Sequence, residues 1–214
     1  MKIARPVMPR HLEPLSNLAR YATSESELDG VEISGETLGS EKLKLFTMTG
    51  SSVAKTDFSG TEIHSFDVKD VIFTDCDFTA AKLSEASVHA TEFRGSRCTG
   101  VQFDASRIKN VSFVGCKLDL ANFRMAKLQS VLFENCVITD MDFYGAELTS
   151  VKFDGCDIDG VQFGSSKLLF VDLTDSTITK VKGVPGLKGA TISGDQLVRM
   201  APYLAAEFGI KIAE

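Results

Sequence analysis

Residues Val101–Leu168 read VQFDASRIKNVSFVGCKLDLANFRMAKLQSVLFENCVITDMDFYGAELTSVKFDGCDIDGVQFGSSKL. A large apolar residue stands at every fifth position: Phe103, Ile108, Phe113, Leu118, Phe123, Leu128, Phe133, Ile138, Phe143, Leu148, Phe153, Ile158, Phe163 and Leu168. A period of five matches neither the 3.6 of a helix nor the 2 of a strand. Self-similarity at a fixed short period is the mark of a repeat architecture, in which each unit buries its apolar face only against its neighbours.

Outward from this stretch the register holds without insertion from Leu28 to Ile178, and Cys98 is its only occupant that is neither aliphatic nor aromatic. Two residues before each centre sits a small or β-branched side chain, as in Val71, Cys76, Ala81, Ala86, Thr91 and Ser96. Each unit thus points two side chains inward and three outward. This pattern resembles the pentapeptide repeat family. The resemblance implies an all-β solenoid, a right-handed quadrilateral β-helix in which four units make one square coil of twenty residues. Reading every twentieth residue agrees: Phe73, Phe93, Phe113, Phe133 and Phe153 form one column, and Phe103, Phe123, Phe143 and Phe163 form another on the opposite side. Leu118, Ile138, Ile158 and Ile178 line a third side; Ile108, Leu128, Leu148 and Leu168 line the fourth. Cys76, Cys116, Cys136 and Cys156 fall in one such column with Ser96 and Ser176, where small side chains serve packing rather than chemistry. The glycines at 95, 100, 115, 145, 155 and 160 share one slot of the unit and are assigned to the coil corners. Glu36 and Glu41 fall at inward positions, so the first coils are expected to be looser.

Three units of organisation follow: an N-terminal cap over 1–25, the β-helix over 26–182, and a helical cap and dimerisation segment over 183–214. In the first, Leu12, Leu15 and Leu18 are spaced for one face of a short helical turn, among Pro6, Pro9 and Pro14. In the last, Gly183 and Pro185 end the ladder, and Ser193 with Gln196 forms a capping box that starts a helix. Pro202 is expected to kink or divide that helix, Gly209 to stop it, and Ile210 and Ile212 to make a short strand. Its apolar face is wider than a lid needs, which assigns Leu197, Val198, Met200, Ala201, Leu204 and Phe208 to a two-fold homodimer contact.

No Walker loop, GxSxG, HExxH or nucleotide-binding glycine fingerprint occurs, the three histidines stand in no metal-ligand spacing with cysteine, and no cofactor is expected. The chain is therefore read as non-enzymatic. No apolar run reaches the ~20 residues of a membrane helix, and the first residues, MKIARPVMPRHLEPL, lack the hydrophobic run of a secretory leader. A cytoplasmic location is expected. A net charge of −6 argues against direct nucleic-acid binding and leaves open an acidic surface for a basic partner. That acidity is local. Residues 131–180 carry nine acids, Glu147 and the eight assigned to a partner surface: Glu134, Asp140, Asp142, Asp154, Asp157, Asp159, Asp172 and Asp175. Against them stand Lys152, Lys167 and Lys180. The Ile108 side instead carries Arg107, Lys109 and Lys127. Duplex DNA presents a charge per ~1.7 Å, a comparable density over two and a half coils.

Within the family, the MKI..P..P start, CKLDLANFRMAKL and the ending LKGATISGDQLVRMAPYLAAEFGIKI are similar to the Qnr and MfpA group. That resemblance implies a homodimer joined through C-terminal helices that mimics DNA, binds DNA gyrase or topoisomerase IV, and modulates them, with fluoroquinolone resistance as one outcome. The uninterrupted register departs from the Gram-negative Qnr pattern, whose projecting loops are absent. The alternative is a structural scaffold that binds another protein.

Overall fold

The computed structural model describes residues 3–21 and 25–213. The chain winds into a right-handed, four-sided parallel β-helix of about nine turns, closed at its C-terminal end by one helix. Successive coils pair at a spacing of twenty: Ile108 lies beside Leu128, which lies beside Leu148, and Phe113, Phe133 and Phe153 follow suit. Every fifth side chain from Leu28 to Ile178 is buried, the outermost of them no more than 8% exposed. The five-residue period is the physical cause. One strand-like step sends the small residue and the centre to the same face, and the next corner turns the chain before a third inward residue is due.

The corners carry an unexpected rule. Nearly every fifth residue, two after the centre, adopts the left-handed conformation, and most occupants are not glycine: Leu120 has φ 56°, Met125 58°, Ser130 55° and Asp140 50°. The slot therefore tolerates L-residues at a cost of roughly 1–2 kcal/mol each, and its glycines are favourable but not obligatory. At Gly155 and Gly160 a second reason operates. A Cβ there would lie 2.5 Å from Asn135 Oδ1 and from Asp140 Oδ1 respectively, because each of those side chains folds over the corner of the next coil.

Inside, the two phenylalanine columns stack and meet. Phe113–Phe133 and Phe133–Phe153 are stacked at centroid distances of 5.1 and 4.7 Å, and Phe123 and Phe143 each present an edge to Phe133 at 6.3 Å. Polar residues in the inner small slot take up amides of the preceding coil: Ser106 Oγ accepts from Ala86 N–H at 2.9 Å and Ser176 Oγ from Cys156 N–H at 3.1 Å. The cysteines use the same slot as donors, Cys136 Sγ to Phe113 O at 3.2 Å and Cys156 Sγ to Phe133 O at 3.3 Å.

The first coils differ as their sequence does. Glu41 is exposed and Glu36 half-buried. A carboxylate does not enter the apolar interior unpaired, so Glu36 turns to the side and accepts from the Leu18 N–H at 3.0 Å. The corner there falls at Gly39 (φ 63°), one residue early. Phe46 and Phe66 occupy the small slot instead, stacked at 5.9 Å, beside the smaller centres Met48 and Val68.

Pairing outruns residues 26–182 at both ends. Glu13–Leu15 forms a parallel strand beside Val31–Ser34, and Ala190–Thr191 pairs with Val171–Asp172. Leu12 and Leu15 thus do not share a helical turn with Leu18. Leu15 belongs to a strand, and the helical turn α1 is Leu18–Tyr21, with Leu18 fully buried over the first coil. Pro14 is accommodated because this strand pairs on one side only.

At the other end α2, Gly194–Glu207, carries the capping box: Gln196 N–H donates to Ser193 Oγ at 3.2 Å and Ser193 N–H to Gln196 Oε1 at 2.8 Å. Pro202 does not divide the helix. It lies on the exposed face, where water can satisfy the carbonyl its missing N–H leaves free. Gly209 (φ 67°) ends α2 as a Schellman turn, with Ile210 N–H to Ala205 O at 2.8 Å and Gly209 N–H to Ala206 O at 3.1 Å. The strand expected at Ile210 and Ile212 does not form: beyond the Schellman turn residues 211–213 pair with no strand among the described residues. No helix among the described residues is long and apolar enough to cross a membrane.

Candidate partner-binding surface

The eight carboxylates assigned to a partner surface project from successive coils, and the structure sorts them by what they touch. Glu134, Asp154, Asp172 and Asp175 belong to the Phe113 side and its corner; Asp140, Asp157 and Asp159 to the neighbouring Leu118 side; Asp142 to the Phe123 side beyond. Four of them are ion-paired. Lys152 Nζ bridges Asp154 Oδ2 at 2.9 Å and Asp175 Oδ2 at 2.8 Å. Arg124 Nη1 meets Asp142 Oδ2 at 2.9 Å while its guanidinium lies 4.5 Å from the Tyr144 ring centroid. Lys182 Nζ lies 2.6 Å from Asp140 Oδ1.

These pairs are exposed and add little to stability, but they change the field. Arg124 and Lys182 both lie outside residues 131–180, so the −6 of that segment becomes −4 once they are included. Asp175 first, then Asp154, holds the Lys152 ammonium above its ordinary value, and Lys182 holds the Asp140 carboxyl below the usual carboxylate range. Asp172 is held low chiefly by the Thr174 amide, which donates to it at 3.0 Å. Glu134, Asp157 and Asp159 have no ion pair among the described residues. Asp159 also keeps one buried carboxylate oxygen without a hydrogen-bond partner. The acidic surface is thus narrower than a count of acids implies, and it centres on these three across one corner of the rod.

All but the Lys152–Asp154 pair were concealed in the sequence because they bridge coils. Their partners stand 18, 23 and 42 residues apart, near one or two turns of the ladder. A search for bases close to twenty or forty residues from each acid finds them.

The residues assigned to a dimer contact divide in two. Met200 is 1% exposed against the last coil and Leu204 is half-buried there, so Met200 does not belong to an outward contact; packing on the open end of the core claims it. Leu197, Val198, Ala201 and Phe208 face outward, and Ile210 and Ile212, assigned by sequence to a strand, extend the same exposed apolar ground. The second residue turned inward is Gln196. Its Nε2 donates to Leu173 O and Ser176 O, both at 2.6 Å, so the capping residue also satisfies carbonyls of the final coil.

The cysteine column holds no disulfide. Burial pushes the Cys76 thiol up to about 11; the neighbouring Cys116 thiol and burial together push Cys136 up to about 12. Thiols held protonated in this way are poor nucleophiles.

Residues 97–163 match the family model described as pentapeptide repeat region, and residues 72–110 match that of pentapeptide repeats (8 copies). No curated protein matches the chain. Among solved structures it is similar to HetL, a pentapeptide repeat protein involved in heterocyst differentiation regulation from the cyanobacterium Nostoc sp. (15% identity, 73% of this chain and 89% of that one, TM-score 0.45). QnrB1, a plasmid-mediated fluoroquinolone resistance protein, aligns at 19% identity over 95% of this chain and 100% of that one, TM-score 0.39. A pectin methylesterase from Aspergillus niger aligns at 12% identity over 90% and 83%, TM-score 0.36.

Proposed function

We propose that the chain, which matches pentapeptide repeat models over residues 72–110 and 97–163, works without catalysis, as a homodimeric DNA mimic that binds DNA gyrase or topoisomerase IV through its acidic corner. The observation that carries this is the placement of Glu134, Asp157 and Asp159. They stand unpaired on two adjacent sides of a rigid rod, near the end where α2 exposes Leu197, Val198 and Phe208. A surface that binds duplex DNA is lined with cations spaced for phosphates, and a rod with carboxylates at coil spacing presents complementary charge at little conformational cost, because the β-helix orders it beforehand. The similarity of the chain's start, middle and ending to the Qnr and MfpA group supports the choice of partner, and the exposed apolar ground at the C-terminal end supports the dimer.

The test is DNA supercoiling by purified gyrase, with and without a fluoroquinolone. Micromolar chain is expected to change the outcome in at least one condition, and reversal of Glu134, Asp157 and Asp159 to lysine to abolish the change. No effect of the unaltered chain in either condition removes the proposal. The ion pairing of Asp140, Asp142, Asp154 and Asp175 favours a second reading, a scaffold for a less basic protein. Recovery of partners other than topoisomerase subunits on the immobilised chain would select it.

A further inference from the structure

The segment before the first strand does more than cover the first coil. From Glu13 the chain runs back along the outside of the rod, toward its C-terminal end. Pro9 packs on the corner at Gly50, where an added Cβ would lie 3.2 Å from its ring. The Val7 N–H donates to Asp70 Oδ1 at 3.0 Å, one coil further on. Ile3 to Pro6 then line, with Glu92, Leu132, Glu134 and Asp154, a cavity of about 340 Å³ on the Phe113 side. From Pro9 to Ile3 is six residues, roughly 20 Å of extended chain, which matches the four coils crossed at ~4.8 Å each. Ile3, Pro6 and Met8 are half-buried while Ala4, Arg5 and Val7 are exposed. The contact is one of side chains in a shallow trough rather than of strand pairing.

We propose that this trough is a docking groove for an extended, proline-containing cationic segment, covered in the free protein by the chain's own residues 3–10 and open to a partner's segment of the same chemistry once they lift. The groove and the strap agree in character. The floor is apolar at Leu132, and of the three carboxylates at its rim Asp154 is paired with Lys152 and Glu92 with Arg94, which leaves Glu134 without an ion pair among the described residues; the segment brings Arg5 and Arg10 on either side of Pro6 and Pro9. An extended proline-bearing peptide loses little conformational freedom on docking. The strap is held weakly, which displacement requires: residues 3–11 make no regular secondary structure, and the Val7 bond is exposed. The groove also contains Glu134, so the strap stands over part of the ground assigned above to a topoisomerase, although the inference does not depend on that assignment.

The probe is a fluorescent synthetic peptide with the sequence of residues 1–11, added to the full chain. A tethered segment competes at an effective concentration of about 1 mM, so the unaltered chain is expected to bind the peptide poorly. The full-length variant Ile3→Asp/Arg5→Glu, whose strap is repelled by the rim, is expected to bind it about tenfold or more tightly. Adding Glu134→Lys to that variant is expected to reverse most of the gain. Val7→Pro, which removes the donor to Asp70, is the second strap-lifting variant and is expected to act in the same direction; thermal unfolding checks that each is folded. Equal binding by altered and unaltered chains, equal binding of a scrambled peptide, or no binding by either folded variant overturns the proposal. Peptide binding alongside a null supercoiling result leaves the groove in place and removes only the topoisomerase as its partner.

Discussion

Replacing Leu120 by glycine is expected to stabilise the protein, against the usual effect of deleting a large apolar side chain. Leu120 stands at a corner with φ 56° and is 60% exposed. Its backbone N–H donates to Thr139 O at 2.7 Å, a bond that glycine keeps. Removing the side chain therefore costs little buried area. It relieves a left-handed Cβ, worth about 1–2 kcal/mol, and adds unfolded-state freedom that offsets roughly 0.5–1 kcal/mol of this. The balance is a gain of about 0.5–1 kcal/mol, or about 1–4 °C in midpoint for a chain of this size. Thermal unfolding followed by circular dichroism measures it, with Leu118→Gly as the contrast: that side chain is fully buried two residues away, and its loss is expected to lower the midpoint steeply. A fall at Leu120→Gly comparable to that at Leu118→Gly would refute the corner account.

Gln196→Ala removes a cap and leaves the Leu173 and Ser176 carbonyls without their donor, a cost of about 2–4 kcal/mol; hydrogen exchange is expected to show α2 opening while the coil amides stay protected. Because Lys182 lowers the Asp140 carboxyl, whatever stability their pair adds is present above the ordinary carboxylate value and is lost as pH falls through the lowered one. An NMR titration is expected to move the Asp140 midpoint upward in Lys182→Ala. A thiol reagent at pH 8 is expected to leave all five cysteines unmodified in the native protein and to label them once it is denatured, since each is free and buried.

The interior was legible in the sequence because a period of five, stepped by four, places every inward residue without knowledge of loops. Phe133 could be assigned to its column from spacing alone. The ends were not legible in the same way. Local spacing marks Leu15 and Ile210 alike as apolar, but whether such residues become strand depends on a neighbouring coil: Glu13–Leu15 pairs with Val31–Ile33, whereas Ile210 pairs with no strand among the described residues. Met200 and Val198 carry the same apolar signal, and only the position of the last coil decides which is buried. The acidic surface was half legible. Spacing puts Asp140, Asp154 and Asp175 on two adjacent sides of the rod, but Lys182 neutralises Asp140 and Lys152 neutralises Asp175 from other coils, while Lys152 pairs with Asp154 along its own strand. The run of residues 3–9 along that flank has no periodic signature, only prolines that keep it extended.

The claim that the acidic corner stands in for DNA is tested most directly by competition. With gyrase immobilised and the chain bound to it, duplex DNA is titrated at fixed ionic strength. The account predicts that DNA displaces the chain and that reversal of Glu134, Asp157 and Asp159 prevents binding at the outset. Binding that persists undiminished under saturating DNA, or that survives the triple reversal, would contradict it.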